Sequence, residues 1–347
     1  MFIGDAEWGN VTPSQVDQAS ELIFTGPKAR DRMKEARELG VPAEKLSWQD
    51  GDKVRDFMWE GYRWADDLPD TPEDKYLICG IDGLGKRVNW RLPELVIVAG
   101  PAGHGKSLFC QVLAQDFVCR NDQWASLTCW EDQAEEIRDG LKLYRDSTIV
   151  PAHRKGDFTS RFRITIPEDD SEREISKHFE RIEYEAKRFG IKFFVLDPWN
   201  EFDHRKHSQQ TQADYVIRVL TDGAILANKL KIIILITTHV SAEFISQSDE
   251  FKPFRLANAF GTSQFGNKAH RGFCVVRTKQ WSPASHMVVR QDKVKLENKL
   301  AFDHDGAPTL LKRRMGYTDT MAFTFDPKSN TLHYDEAWSV EARKKWK

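Results

Sequence analysis

The 347-residue chain has few cysteines, no long apolar run and almost no net charge, and each shortage narrows what it can be. Its five cysteines, Cys79, Cys110, Cys119, Cys129 and Cys274, are scattered, odd in number and free of any C-x-x-C pair. That excludes a disulfide framework and a zinc ribbon, and it suits a reducing compartment. The longest aliphatic runs, such as 232–236, fall far below the ~18 residues of a membrane span. Asp5 and Glu7 stand where a secretory leader would carry Lys or Arg. The 51 basic and 53 acidic side chains nearly cancel to a formal charge of -2, so the chain is not a general polycationic coat, although a locally basic channel or loop fits the same sum. Neither a long internal repeat nor a low-complexity tract is present.

What is present is an ordinary globular balance, 40% hydrophobic and 30% charged, in a chain long enough for about two domains. Up to about residue 75 the sequence is polar, Trp-rich and helix-forming. Apolar spacing predicts helices over 28–39 and 53–68. Trp59, Tyr62 and Trp64 spread around more of the second helix than one core face covers, so it is either buried on two sides or docked on another subunit. Residues 66–74, with Pro69 and Pro72, read as a linker. The expected division is a small helical N-terminal appendage at 1–75 and a main domain at 76–347.

From residue 76 short apolar runs alternate with helical segments, the pattern of an α/β sheet with crossover helices. Strands are predicted over 94–99, 124–130, 162–166, 192–196 and 231–237, and helices over 107–119, 132–144, 172–189 and 212–230. Several strand runs are apolar without alternation, as parallel strands buried on both faces are. After residue 270 shorter runs predict antiparallel strands at 273–277, 286–291, 309–313, 321–325 and 331–334.

The strongest chemical signal is Gly100-Pro-Ala-Gly-His-Gly-Lys106-Ser107, a Walker A (P-loop) sequence set between a predicted strand and a predicted helix. Such a loop holds phosphate oxygens with its backbone N–H groups, reaches the terminal phosphates with Lys106 and binds magnesium through the Ser107 hydroxyl. Gly100, Gly103, His104, Gly105, Lys106, Ser107 and Leu108 are therefore the expected nucleotide contacts, and ATP or another NTP with Mg2+ the expected cofactors. Asp197 ends the apolar run 193–196 and is the second magnesium candidate, the Walker B carboxylate. Pro198 follows it, so the general base must come from elsewhere. Glu131, at the end of the 124–130 strand, is the first candidate, with Asp132 and Glu201 as rivals. A structural alternative for Glu131 is to complement the dipole of the next helix.

His239 ends the 231–237 strand after Thr237 and Thr238, either as a γ-phosphate contact or as a histidine satisfied by backbone. His204 and His207 have metal-like spacing but sit in a polar run with no third ligand, which reads as a solvated loop. Lys312-Arg313-Arg314 is either a solvated strand end or the source of an arginine inserted into a neighbouring subunit's site, and the second reading requires an oligomer.

In this order these residues resemble the RecA-like motor domain of the hexameric replicative DNA helicases, the DnaB and Twinkle class of superfamily 4, over about residues 80–335. The resemblance implies a RecA-like P-loop fold with a mostly parallel central sheet, helices on both faces and antiparallel C-terminal strands. Gly80-Ile-Asp-Gly-Leu-Gly is similar to that family's domain entry, and 213–230 to a family helix with a Leu-Lys-x-x-Ala-like pattern. Gly261-Thr-Ser-Gln264 resembles the glycine-rich stretch after the second DNA-binding loop. The resemblance places the catalytic glutamate at Glu131, the Walker B aspartate at Asp197 and the phosphate sensor at His239. It also places a Lys-x-Arg pair at Lys312 and Arg314, with Arg314 the trans-acting finger, and a base clamp at Arg277 and Phe325. Two departures stand out: Asp197-Pro-Trp-Asn-Glu201 is not the commonest family sequence, and His270 stands where relatives often have Asp.

The expected function is an ATP-dependent helicase motor, a homo-hexameric ring moving on single-stranded DNA, with 5′ to 3′ polarity implied by the resemblance alone. Arg205, Lys206, Lys252 and Arg255 are candidates for gripping DNA, or else surface charges. A separate primase or loader is a further expected partner, while no membrane partner and no primase activity are expected. The expected location is soluble, in the reducing cytoplasm of a bacterial or phage-infected cell. The rival readings are a recombinase-like or loader-type ATPase that remodels DNA without processive unwinding, and a nucleotide-dependent structural clamp.

Overall fold

The computed structural model describes residues 48–49, 53–54, 77–85, 87–90, 92–167, 173–202, 211–240, 254–259, 262–278, 286–294, 296–302, 308–314 and 319–345. Contacts divide the chain into two units, Met1–Asp74 and Lys75–Lys347. In the first unit, β1 (Trp48–Gln49) pairs antiparallel with β2 (Lys53–Val54), Trp48 opposite Val54. Lys53–Val54, expected to open a helix, is therefore strand, because pairing with Trp48–Gln49 supplies it with a cross-strand partner that the apolar spacing did not reveal. The predicted helix at 28–39, the rest of 53–68 and the linker at 66–74 lie outside the described residues.

The second unit opens with a short antiparallel pair, β3 (Leu77–Ile78) and β4 (Asn89–Trp90), and is then organised by one nine-stranded sheet. Along the chain its strands are β5 (Glu94–Ala99), β6 (Ala125–Cys129), β7 (Phe162–Thr165), β8 (Phe193–Asp197), β9 (Ile233–Thr238) and β10 (Arg271–Arg277). β11 (Met287–Val294) follows, then a separate two-stranded ribbon of β12 (Leu296–Phe302) and β13 (Pro308–Arg314), and finally β14 (Asp319–Asp326) and β15 (Thr331–Asp335). The spatial order is β15-β14-β11-β10-β5-β9-β8-β6-β7. The run from β10 to β7 is parallel throughout, and β11, β14 and β15 add antiparallel.

This differs from expectation at one strand: β10 belongs to the parallel core through β5 and is antiparallel only to β11. Its run of buried residues from Arg271 to Val276 explains why, because a strand in the middle of a covered sheet is apolar on both faces. β12 and the C-terminal helix had no counterpart in the sequence reading.

Among the described residues five longer helices flank the sheet: α1 (Lys106–Asn121), α2 (Ala134–Asp146), α3 (Ile175–Phe189), α4 (Gln212–Leu230) and, after the short α5 (Gln264–Lys268), α6 (Glu336–Lys345). α4 begins where its sequence predicts because Thr211 caps it. Its Oγ1 accepts the Asp214 N–H at 3.1 Å, while Asp214 reaches back to the Thr211 N–H at 3.4 Å. Two apolar cores result, one on each face of the sheet. Phe109, Leu113 and Phe117 of α1 pack on one side, and Val216, Leu220 and Ala227 of α4 on the other. At the amino edge of the sheet a fully buried ion pair, Arg271 Nε to Glu94 Oε2 at 2.9 Å, staples β10 to β5, and Arg271 Nη1 donates to Gln291 Oε1 of β11 at 2.8 Å. The opposite, carboxyl edge carries the site.

Candidate nucleotide-binding and hydrolysis site

β5 lies between β9 and β10, while the strand next in sequence, β6, lies on the far side of β9 and β8. The chain leaving β5 therefore enters a crevice beside the ends of β9 and β8, the place where open α/β sheets bind ligands. Gly103 and Gly105 sit at φ 72 and 86, the left-handed region that glycine reaches without cost, and Gly105 hands the chain directly to α1. Gly100 has no Cβ, and one there would run into the carbonyl oxygen of Val275 on β10.

Lys106 opens α1 and is 5% exposed. Its Nζ donates to Pro101 O at 2.9 Å and lies 3.3 Å from His239 Nδ1. Both partners are uncharged, so neither forms an ion pair with the ammonium. Burial lowers its pKa, and nearby Asp197 and Glu131 oppose the shift. An ammonium offers only donors, so His239 Nδ1 is the acceptor and the ring proton sits on Nε2. Burial, helped by Lys106, pushes the His239 pKa down to about 4, which keeps the ring neutral.

Asp197, buried at the end of β8, accepts hydrogen bonds from Ser107 and from Thr237 Oγ1. Burial raises its pKa and those two donors lower it. A hydroxyl and a carboxylate in direct contact form the hard-oxygen donor pair that suits magnesium, an ion usually held by one or two protein groups plus phosphate and water. Among the described residues no group of three His, Cys, Asp or Glu side chains forms a metal cage.

A cleft of about 400 Å³ opens over the loop, lined by Gly103, Gly105, Lys106, Ser107, Leu108, Gln111, Glu131, Asp132, Glu136, Ile137 and Arg277. The three base candidates differ in their company. Glu201 pairs with Arg173 at 3.3 Å, and Arg173 lies over the Trp130 ring. Asp132 accepts from Gln111 Nε2 at 3.0 Å and is raised to about 6, chiefly by burial, with Asp197 and Glu131 adding. Among the described residues no donor holds the Glu131 carboxylate. Its pKa is raised by burial and by Asp197. The dipole alternative fits it poorly, because α2 begins at Ala134 and its first-turn acids are Glu135 and Glu136.

His239 follows β9, and its N–H donates to Asn200 Oδ1 at 3.2 Å. Asn200 belongs to a 3-10 turn, Trp199–Glu201, anchored by buried Trp199 against Phe265 and Tyr215. Arg277 reaches the cleft, whereas Phe325 packs against the apolar core on the α1 face and does not line it. Lys312 and Arg314 lie on β13, paired with Asn298 and Leu296 of β12 in a ribbon separate from the main sheet. Arg255 is ion-paired with Asp292 at 2.8 Å. Arg205, Lys206, Lys252, His204, His207 and Gly261 lie outside the described residues.

Sequence reasoning missed Gln111, Glu136 and Ile137 on the cleft wall, Thr237 as the Asp197 donor and Asn200 as the His239 partner. For Gln111 the signal was its helical spacing of four from Ser107; Thr237 and Asn200 left no local signal, since each meets its partner through strand order.

No protein-family model matches the chain. In sequence it is 28% identical over 254 residues to the Twinkle homolog protein, chloroplastic/mitochondrial, of Arabidopsis thaliana, a match covering 73% of this chain and 33% of that protein. The chain thus spans about a third of that relative's length. In structure it superposes on the ATPase domain of G40P with a TM-score of 0.52 at 13% identity, covering 71% of this chain and 86% of that one. It also superposes on a DnaB-like replicative helicase, described with its interactions with primase, with a TM-score of 0.55 at 15% identity, covering 92% and 75%. The sheet order, the loop at the carboxyl edge of β5 and the two superpositions agree: the chain has the α/β fold of the ATPase domain of G40P and of that DnaB-like replicative helicase, and its sequence is similar to part of the Twinkle homolog.

Proposed function

We propose that the chain is an ATP-hydrolysing motor that moves on single-stranded DNA and unwinds duplex as a ring of subunits. The observation that carries this reading is the grouping of Lys106, Ser107, Asp197 and Glu131 at one end of β5, β6 and β8, around a cleft of nucleotide size. Lys106, buried and bonded only to neutral acceptors, suits a terminal phosphate, whose charge would replace lost hydration. Ser107 and Asp197 would hold magnesium, which when bound neutralises charge developing on the phosphates. Glu131, raised in pKa and free of donors, takes the proton from the attacking water. His239 joins Lys106 to the Asn200 turn, so a change at the terminal phosphate reaches the chain that leaves β8.

Lys312 and Arg314, on a ribbon outside the main sheet, serve a neighbouring subunit's nucleotide, with Arg314 as the finger. That arrangement requires an oligomer; six subunits in a ring and 5′ to 3′ movement are part of the proposal, by analogy with the helicases that the chain resembles. Arg277 contacts the nucleotide from its own subunit. Arg205, Lys206 and Lys252 serve DNA phosphates, and Arg255 does so once it leaves Asp292. A separate primase or loader is a further partner, in keeping with the DnaB-like helicase described with primase.

Strand displacement on forked DNA with ATP and magnesium, wild type beside Glu131→Gln, tests the reading. ATPase is followed in the same reactions with and without single-stranded DNA. Displacement by wild type alone supports the motor. DNA-stimulated hydrolysis without displacement points to a remodelling ATPase or a missing loader, and absence of both points to a nucleotide-dependent clamp.

A further inference from the structure

The loop that carries Lys106 is fastened to β10 as well as to its own strand. β5 and β10 are parallel neighbours, paired from Arg271 opposite Val96 to Cys274 opposite Ala99, so both chains leave the sheet side by side. Three contacts follow. Gly100 leaves the space into which a Cβ would strike Val275 O. Gly105 leaves space where a Cβ would meet Met287 Cε at 2.8 Å and Arg277 Nε at 3.3 Å, so the guanidinium lies directly against the loop. The third is a directional bond: His104 Nδ1 accepts the Arg277 N–H at 3.1 Å.

Arg277 is held from the other side too. Thr278, the next residue, donates its N–H to His286 O at 2.9 Å, and the His286 N–H returns to Thr278 Oγ1 at 3.0 Å. The residue is therefore fixed on the main chain while its guanidinium borders the cleft.

We infer that His104 is a positioning residue: its Nδ1 pins the Arg277 main chain to the phosphate loop and so pre-sets the Arg277 guanidinium for the bound nucleotide. A long, entropy-rich side chain ordered in advance contributes more to binding than one ordered by the ligand. The role requires a ring that is neutral with its proton on Nε2. Burial, with Lys106 and Arg277 adding, sets the His104 pKa at about 4 and supplies that state at neutral pH. The inference rests on the nucleotide-binding reading of the cleft.

The test is ADP binding to the full chain, read with a fluorescent ADP analogue, alongside KM and kcat for ATP. Wild type is compared with His104→Ala, His104→Phe, His104→Asn, Arg277→Ala and the His104→Ala/Arg277→Ala double variant. Asn offers an acceptor oxygen near the Nδ1 position, whereas Phe fills the space without one. The expected result is binding weakened about 5- to 10-fold, as loss of one hydrogen bond gives, in the Ala and Phe variants, with KM raised in parallel, kcat much less affected and Asn restoring most of the loss. In the Arg277→Ala background, His104→Ala should add little, because the two act as one unit. Full additivity in that cycle, no rescue by Asn, or unchanged binding in His104→Ala would overturn the inference and leave the ATPase reading standing. Failure of wild type to bind ADP at all would overturn both.

Discussion

His239 Nδ1 lies 3.3 Å from Lys106 Nζ, and the same residue's N–H donates to Asn200 at 3.2 Å, so one histidine touches both the buried lysine at the start of α1 and the turn after β8. His239→Ala removes the acceptor and leaves Lys106 with Pro101 O alone. ATP turnover should fall on the order of 10²-fold, while His239→Gln, which retains an acceptor, should keep a substantial part of it. Because the His239 pKa is near 4, wild-type turnover should show no limb at the ordinary histidine pKa of 6.5. A steady-state pH series checks both points, and a limb near 6.5 that disappears in His239→Gln would refute the neutral-ring assignment.

Glu131 must be ionised to accept a proton, and burial and Asp197 raise its pKa above 4.5. Turnover should therefore decline, as pH falls, at a pH above the usual glutamate value. Glu131→Gln should retain nucleotide binding and lose roughly 10²- to 10⁴-fold in turnover. Asp132, itself near 6, is the control: Asp132→Asn should leave the acid limb in place. If the limb vanishes in Asp132→Asn and survives in Glu131→Gln, the base is Asp132.

Gly100→Ala puts a methyl group into the carbonyl oxygen of Val275, a main-chain atom of a central strand, with Lys106 Cγ 3.2 Å away on the other side. Neither neighbour yields without moving β10 or the lysine. The variant should lose about 1–3 kcal/mol of stability and bind nucleotide weakly. Urea melts with a nucleotide titration check this, and a variant of wild-type stability and affinity would contradict the close packing of loop and strand.

Asp116, 1% exposed on α1, accepts the Gly80 N–H at 2.7 Å, and burial raises its pKa from 3.8 to about 6. Between those values the folded chain holds a proton that the unfolded chain has released, so this group's contribution to stability falls as pH rises. Asp116→Asn keeps an acceptor for Gly80 and removes the titration. From about pH 4 to about pH 7 the stability of the variant relative to wild type should improve by roughly 2 kcal/mol. Denaturant midpoints at the two pH values measure it, and a pH-independent difference would refute the raised pKa.

Arg314 lies on β13, in a two-stranded ribbon outside the nine-stranded sheet, and is proposed to serve a neighbouring subunit's nucleotide. Mixing Arg314→Ala subunits with wild type should depress ATPase more than in proportion to the mutant fraction, since each variant disables a neighbour. Linear loss with mutant fraction would mean that the residue acts within its own subunit or not at all.

The local signals carried far. The loop from Gly100 to Ser107, flanked by an unbroken apolar strand and a helix, was legible because phosphate cradling needs glycines, a lysine and a hydroxyl at one fixed spacing. The parallel core was legible because strands covered on both faces cannot alternate. The start of α4 was legible because Thr211 and Asp214 cap it three residues apart. Asp197 and Glu131 could be named as candidates because each follows a predicted strand, and a strand end at the carboxyl edge is where such a fold presents side chains.

Other features depended on strand order, which no local pattern encodes. β10 read as one more short strand, and only its pairing with β5 brought Arg277 beside the loop and His104 onto its N–H. Thr237 and Asn200 are 40 and 39 residues from their partners Asp197 and His239, and they meet because β9 lies next to β8. Phe325 was assigned to the nucleotide base by likeness, yet its strand lies two places beyond β10 in the sheet, and there it joins the apolar core. The sequence by itself determined the chemistry at the end of each strand, because residue types and spacing are local. Which ends stand together was decided by the tertiary structure alone, because strand order is set by the packing of two apolar faces across the whole domain.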